Sequence, residues 1–173
     1  LARLEVSPLS APQRLYDIET WPDHNFVANG IVVHNCSFCA PAELLHFKVL
    51  RRHSVDYVIE ELNYLDRTYG PLGSIVFHDS MFFMQPQWLE EFIEKYPSKT
   101  RCWPFWAAGR ADTVRKWPHL FKALVQECNW HIVSIGFESG SDKVLKILNK
   151  ECTAEDNRIS IELGNKLGVT FFA

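Results

Sequence analysis

From Ser54 onward, the chain alternates between amphipathic helical patterns and short apolar runs typical of buried strands. The helical pattern "SVDYVIEELNYLDRTYG", with Ser54 as N-cap and Gly70 as stop, precedes the apolar run "SIVFHD", and the alternation continues to "VTFFA". Apolar strands separated by helices form parallel sheets that the helices cover. The alternation therefore predicts an α/β fold, an open sheet or part of a barrel, with strands near residues 74, 103, 131 and 169.

Prolines help to place the helices between these strands. Pro86 stands near the start of "QPQWLEEFIEKYP", and Pro118 lies inside "DTVRKWPHLFKALVQEC". Proline fits the first turn of a helix but breaks its interior, so Pro86 marks a helix start and Pro118 either interrupts a helix or begins a new one. Pro104 weakens the strand candidate "CWPFWAAG". The other strand is "HIVSIGFE", and the other helices are "SDKVLKILNK" and "TAEDNRISIELGNKLG".

Three polar residues follow successive predicted strands. Asp79 comes after "IVFH", Arg110 after "FWAAG" and Glu138 after "VSIGF". In parallel α/β folds, chemistry collects in the loops at the carboxyl ends of the strands. Each residue alone is more simply a helix cap or an ion-pair partner, but three at successive strand ends indicate a site.

The first 35 residues differ in character and end in a reactive triplet. Asn29-Gly30 between "HNFVA" and "IVVH" predicts a two-residue β-hairpin, which leads directly into His34-Asn35-Cys36. The Asn35 amide can attack its own backbone carbonyl and break the bond to Cys36, a thiol nucleophile, with assistance from His34. By itself, the triplet favours an ordinary turn.

The sequence around the triplet resembles the C-terminal splicing segment of inteins. The likeness covers "LYDIETWPDHNFVANGIVVHNC", with a "YDIE" strand, a "DHNF-VANG" block and an apolar run ending in His-Asn before Cys. It implies a short all-β, Hint-type segment over residues 1–35. In that segment Asn35 cyclises, His34 assists, and His24 and Asp23 support the central steps. Its partners would be the upstream intein half and the N-extein, so we expect cleavage at Asn35 rather than splicing by this chain alone.

Cys36 and Cys39 form a Cys-x-x-Cys loop, "CSFC", with three chemical interpretations. A structural zinc site needs four ligands, and no second such pair follows. A thiol–disulfide redox pair is opposed by the bulky Phe38 between the thiols. Iron–sulfur ligation needs at least one more cysteine. A thiol–disulfide or metal-binding α/β module that uses Cys36 and Cys39 is therefore one interpretation, and part of an iron–sulfur site is the other.

The chain from Cys36 to Ala173 resembles the radical S-adenosylmethionine superfamily, in particular the branch whose members often carry a cobalamin-binding domain. That family holds a [4Fe-4S] cluster with Cys-x-x-x-Cys-x-x-Cys, and "CSFC" matches its second and third cysteines, with Phe38 as the aromatic residue before the last. The segments "SIVFHDSMFF", "GRAD" and "SIGFESGSDKVLKILNK" resemble later parts of its barrel. The resemblance implies a partial TIM-like radical SAM barrel over residues 36–173.

The resemblance also implies cofactors, partners and roles. Cys36 and Cys39 would be iron ligands, Phe38 would pack near the adenine, and Asp79, Arg110 and Glu138 would contact S-adenosylmethionine or a small-molecule substrate. The reaction would be reductive cleavage of S-adenosylmethionine to a 5′-deoxyadenosyl radical, with a flavodoxin or ferredoxin as electron donor. A cobalamin-dependent methyltransferase or cyclase is compatible with this branch. The substrate and the use of cobalamin stay open.

One departure from the family pattern links the two resemblances. Val32, not cysteine, stands four positions before Cys36. Splicing to an upstream extein that ends in Cys-x-x-x would restore the full motif, so the Cys36 thiol would serve first as splicing nucleophile and then as iron ligand. We therefore interpret the chain as a fragment of a precursor.

Composition narrows the remaining classes of function. A net charge of −3 and a pI near 6.2 give no general reason to bind nucleic acid. No apolar run is long enough to span a bilayer, and no signal peptide pattern is present, which predicts a cytoplasmic protein. Cys102, Cys128 and Cys152 have no framework spacing, so we expect buried or incidental thiols.

Overall fold

The computed structural model describes residues 52–79 and 81–172 in full, and residues 25–28 and 31–34 as backbone only. The last two ranges are strands β1 (Asn25–Ala28) and β2 (Ile31–His34). They pair antiparallel, with Ala28 opposite Ile31, so the predicted two-residue hairpin at Asn29-Gly30 is confirmed. The rest of residues 1–51, including His24, Asn35, Cys36, Phe38 and Cys39, lies outside the described residues.

The larger unit is a four-stranded parallel sheet with helices between its strands. Its strands are neighbours in the order of the sequence, and each pair is parallel. This arrangement confirms the predicted α/β fold. The strands are β3 (Ile75–Val76), β4 (Phe105–Ala108), β5 (Trp130–Ser134) and β6 (Thr170–Phe172). The helices are α1 (Val55–Tyr69), α2 (Pro86–Lys99), α3 (Ala111–Lys116), α4 (Pro118–Gln126), α5 (Asp142–Ile147) and α6 (Ala154–Leu167).

The ends of the helices follow the local signals in the sequence. The Ser54 side chain accepts a hydrogen bond from the Tyr57 N–H (3.2 Å), and Gly70 at φ 97° ends α1. Pro118 begins a new helix, since it stands at the first position of α4 directly after α3. Helix α2 runs two residues past Pro97. The ring of Pro97 leaves the Ile93 carbonyl without its helical N–H, and the Cys128 thiol lies 3.9 Å from that oxygen.

The strands are shorter than the apolar runs that predicted them. Beyond β3, the Phe77 N–H still donates to Trp106 O (2.9 Å), but the Asp79 carboxylate then accepts from the Met81 N–H and turns the chain. Strand β5 ends at Ser134 rather than continuing to Glu138, which has a left-handed φ of 55°. After β3, a polar side chain thus turns the chain by bonding to nearby backbone, whereas β5 ends a few residues before the turn at Glu138.

Among the described residues, one face of the sheet is buried and side chains on the other face are partly exposed. Helices cover the face that carries Phe105, Ala107 and Val133, all 1% exposed or less. Aromatic rings dominate this core and pack edge-to-face or stacked, among them Phe77, Phe82, Phe83, Phe92, Tyr96, Phe105, Phe121 and Trp130. The opposite face carries Val76, 44% exposed, and Phe172, 59% exposed. In the part of the chain that the structure describes, the helices therefore lie on one face of the sheet.

Candidate functional site at the carboxyl ends of the strands

The three predicted strand-end residues do follow three neighbouring strands. Asp79 follows β3, Arg110 stands at the N-cap of α3 after β4, and Glu138 lies in the loop after β5. Because β3, β4 and β5 are adjacent and parallel, their carboxyl ends lie at one edge of the sheet. The loops that carry the three residues therefore leave the sheet at the same edge.

Arg110 and Glu138 are joined through Lys150. The Lys150 ammonium lies 3.2 Å from Glu138 Oε1, and the Lys150 carbonyl accepts a hydrogen bond from Arg110 Nη2 (3.1 Å). Arg110 Nε also donates to the Asp112 carboxylate (2.9 Å). The Lys150 side chain is 10% exposed and that of Glu138 38%, so the ion pair sits at the boundary between protein and solvent. Such partly shielded contacts are stronger than fully exposed ones.

Asn157 fixes the backbone of the loop that carries Glu138. Its side-chain N–H donors reach Phe137 O (2.8 Å) and Ser139 O (2.9 Å), and the residue is only 4% exposed. Within the loop, the Ser139 N–H donates to Phe137 O (2.6 Å) across Glu138. This tight turn costs backbone energy, which the two amide bonds from helix α6 offset.

Asp79 belongs to a separate group of contacts around Arg52. Asp79 Oδ1 accepts from the Met81 N–H (2.8 Å), and Oδ2 lies 3.2 Å from Arg52 Nη2. The Arg52 side chain is 8% exposed, donates to Phe82 O (3.0 Å) and lies over the Trp88 ring (4.7 Å). Burial lowers the pKa of Arg52, and the charge of Asp79 opposes that shift. Asp79 is thus held by residues on its own side of the sheet, and its hydrogen bonds do not go to Arg110 or Glu138.

The cysteines within the described residues do not assemble a metal site. No group of three or more His, Cys, Asp or Glu side chains suited to a metal ion occurs in the part of the chain that the structure describes. Cys102 and Cys128 precede β4 and β5, at the opposite edge of the sheet from the candidate site. Cys152 stands two residues after Lys150, near the candidate site; burial raises the pKa of its thiol, and the charges of Lys150 and Arg110 oppose that rise. The two predicted iron ligands, Cys36 and Cys39, are outside the described range.

A cavity of about 350 Å³ lies between the end of α5 and the start of α6, beside Lys150. Its lining includes the polar residues Asp142, Asn149, Glu151 and Thr153 as well as the apolar side chain of Leu145. Arg110 and Glu138 do not line it. The hollow therefore borders the strand-end residues without containing them, and we base the candidate site on the strand ends.

Sequence reasoning missed the partners of the predicted residues. Lys150 ends the segment "SIGFESGSDKVLKILNK", so it stood within a segment that the resemblance singled out without a role of its own. Arg52 precedes the predicted cap Ser54 and carried no signal of a contact 27 residues away. Asn157 falls within a helical pattern, where an amide looks like a surface residue.

The described residues define a class of fold: a parallel α/β sheet with helices on its buried face and polar residues after the carboxyl ends of its strands. No protein-family model matches the chain. Among solved structures, it is similar to the cobalamin-dependent S-adenosylmethionine radical enzyme OxsB, in the form with aqua-cobalamin and S-adenosylmethionine bound and in the form with aqua-cobalamin alone. For each of these structures the TM-score is 0.61 at 24% identity, over 70% of this chain and 19% of that one. This likeness establishes the fold.

The chain is also similar in sequence to a curated protein. The chain is 29% identical over 135 residues to an uncharacterized methyltransferase of Pyrococcus horikoshii. The match covers 78% of this chain and 28% of the relative, so the chain spans less than a third of the relative's length. No described helix is both long and apolar enough to cross a membrane.

Proposed function

We propose that residues 36–173 are part of a radical S-adenosylmethionine enzyme and that residues 1–35 are the C-terminal segment of an intein. The assignment of residues 36–173 rests on the placement of Asp79, Arg110 and Glu138 after three adjacent strands. The fold is similar to that of an enzyme solved with S-adenosylmethionine bound. The helices on one face of the described sheet support a partial barrel. The name of the curated relative supports methyl transfer as the class of reaction.

In this proposal Cys36 and Cys39 hold two corners of a [4Fe-4S] cluster, and the missing ligand comes from the N-extein after splicing. When bound, a reduced cluster supplies the electron that cleaves S-adenosylmethionine to a 5′-deoxyadenosyl radical. The chain's own residues bind and orient. Arg110 offers guanidinium N–H donors, and Asp79 and Glu138 offer carboxylate acceptors, to polar groups of S-adenosylmethionine or a small-molecule substrate. Cobalamin, if used, would bind to a part of the enzyme outside this chain, and an electron carrier such as a flavodoxin or ferredoxin would deliver the electron.

The missing ligand can be tested within the chain itself. The substitution Val32→Cys, made together with Asn35→Ala to prevent cleavage, restores Cys-x-x-x-Cys-x-x-Cys around Cys36 and Cys39. After anaerobic reconstitution with iron and sulfide, we expect this variant to show the visible absorbance of a [4Fe-4S] cluster and to bind about four irons per chain. The Asn35→Ala chain alone should bind much less iron.

A spacing control makes this test specific. Ile31→Cys in the same Asn35→Ala background places the third thiol one residue too early, and it should not yield a stable cluster. Equal cluster formation in all three chains would contradict the ligand assignment, as would its absence from the Val32→Cys chain. A redox-active Cys36–Cys39 disulfide in an iron-free chain would instead support the thiol–disulfide alternative.

A further inference from the structure

Lys150 contacts two of the predicted strand-end residues, Glu138 and Arg110. Its ammonium reaches Glu138 Oε1 at 3.2 Å, and its carbonyl oxygen accepts from Arg110 Nη2 at 3.1 Å. Glu138 is 12 residues and Arg110 40 residues away in sequence. The distance between the loops after β4 and β5 therefore depends on where the backbone of Lys150 is held.

That backbone is fixed by the end of helix α5. The Asn149 N–H donates to Lys146 O (3.1 Å), and the Lys150 N–H donates to Leu145 O (3.0 Å), while Asn149 has a left-handed φ of 53°. These two bonds make a Schellman motif, in which Lys150 is the second residue beyond the helix cap. The end of helix α5 thus explains the left-handed backbone of Asn149 and fixes the position of the Lys150 backbone.

Glu151 also has a left-handed φ, 54°, which the helix cap does not require. A residue other than glycine adopts this conformation at an energetic cost, so the surrounding structure must impose it. Here it redirects the chain between Lys150 and Thr153, the N-cap of α6. Lys150 therefore lies between two residues with left-handed backbone conformations. That of Asn149 follows from the helix cap, and that of Glu151 from the turn into α6.

The ion pair between Lys150 and Glu138 lies close to Gly136. A Cβ atom at this position would collide with Glu138 Oε1 and would stand 3.2 Å from Lys150 Nζ. The carboxylate and the ammonium therefore both lie close to the bare Cα of Gly136. The sequence places a glycine where a side chain would push the pair apart.

We propose that Lys150 is a positioning residue that sets the mutual placement of Arg110 and Glu138 at the candidate site. Its carbonyl orients the Arg110 guanidinium, and its ammonium keeps the Glu138 carboxylate against Gly136 instead of in open solvent. Loss of the ammonium releases Glu138, whose side chain is 38% exposed, while the carbonyl contact to Arg110 survives in every Lys150 variant. An effect of Lys150 on S-adenosylmethionine binding rests on the proposed function. An effect of Lys150 on the conformation of the loop that carries Glu138 does not.

The structural arm of the test is hydrogen exchange of the intact chain, followed by mass spectrometry of peptides that contain residues 137–139. We expect Lys150→Met to raise the exchange rate of the Ser139 amide, which closes the turn across Glu138, and Lys150→Arg to keep it near the parent rate. Lys143→Met, a matched change of an exposed lysine in α5, should leave it unchanged. Equal exchange in the parent and Lys150→Met chains would overturn the proposal whether or not the protein binds S-adenosylmethionine.

The functional arm measures S-adenosylmethionine affinity by isothermal titration in the cluster-bearing Val32→Cys, Asn35→Ala chain. Lys150→Met should weaken binding roughly tenfold, within the usual range for coupled contacts, and Lys150→Arg should restore most of it. In a Glu138→Gln background, Lys150→Met should cause no further loss, and additive losses would overturn coupling through Glu138. A parent chain that binds no S-adenosylmethionine would refute the proposed function and leave the positioning role to be decided by the exchange result.

Discussion

At the scale of single residues, the thiol of Cys128, two residues before strand β5, is a titratable group enclosed in the core. It is fully buried, and burial, with smaller effects from Cys102 and Glu127, raises its pKa to about 12. At pH 8 roughly one Cys128 side chain in ten thousand is a thiolate, and only the thiolate reacts with iodoacetamide. Cys128 should therefore be alkylated in the folded chain far more slowly than the partly exposed Cys102 and Cys152.

Peptide mass spectrometry over a time course measures these three rates in one sample. Addition of denaturant is the control, because unfolding removes the burial that suppresses the Cys128 thiolate and should bring its rate level with the others. If Cys128 were modified as fast as Cys152 without denaturant, the buried packing of this thiol against helix α2 would be wrong.

Some residues of the candidate site could be located from the sequence and others could not. The difference is the separation along the chain between each residue and its contacts. Asp79, Arg110 and Glu138 were predictable because a parallel strand delivers the residue after it to one edge of the sheet, whatever surrounds it. Lys150, Asn157 and Arg52 act across 12 to 40 residues of chain, and their contacts depend on how helices pack. Local patterns carry no information about such contacts. The sequence therefore predicted where the candidate site lies on the sheet, but not which residues contact Asp79, Arg110 and Glu138.

At the scale of secondary-structure elements, helix α6 begins with a capping box that also holds an ion pair. The Thr153 hydroxyl accepts from the Asp156 N–H (3.1 Å), and Asp156 Oδ2 accepts from the Thr153 N–H (2.8 Å), while Asp156 Oδ1 lies 2.9 Å from Arg115. Burial acts to raise the pKa of Asp156, but the hydrogen bonds from Thr153 and Arg115 outweigh it and leave the pKa below its ordinary value. This carboxylate stabilises the fold in its charged form.

Asp156→Asn should lower the free energy of unfolding by about 1 to 2 kcal/mol at pH 7, the usual cost of a lost cap and its charge. Because the folded pKa is depressed, the contribution is complete above the unfolded pKa of about 3.9 and disappears as the pH falls through the folded value. The gap between parent and variant in urea unfolding should therefore close in strong acid. Glu155→Gln, in the same turn but exposed, is the control and should change stability little; a gap that stays constant with pH would contradict the role of the charge.

Helix boundaries were more predictable than strand boundaries, for a physical reason visible in two places. Ser54 caps the N–H of Tyr57, three residues on, and Pro118 restricts its own backbone, so the starts of α1 and α4 follow from local sequence. Strand β3 pairs regularly over only two residues because the Asp79 carboxylate captures the Met81 N–H, and β5 ends before a turn that Asn157 ties down from helix α6. A run of apolar residues shows that a segment is buried, but pairing stops where a side chain offers the backbone another partner.

At the scale of the whole molecule, the chain combines a hairpin ending at His34 with a parallel α/β unit. Its matches cover 28% of the curated relative and 19% of the solved structural neighbour. The proposed boundary between the two parts is the peptide bond from Asn35 to Cys36. If residues 1–35 are an intein segment, Asn35 cyclises onto its own carbonyl and releases a fragment that begins with Cys36. The purified chain, incubated at neutral pH, should slowly lose its first 35 residues.

Intact-mass measurement over days detects this loss, and the variants separate the chemistry from general hydrolysis. Asn35→Ala removes the attacking amide and should abolish release, whereas His34→Ala should slow it, since the imidazole only polarises the carbonyl or protonates the leaving amine. Asn29 is an internal control, because Asn29-Gly30 also favours cyclisation but lacks the His34 and Cys36 neighbours. A product that begins at Gly30 would indicate ordinary asparagine breakdown, and release that survives Asn35→Ala would refute the intein assignment while leaving the α/β unit and its strand-end site untouched.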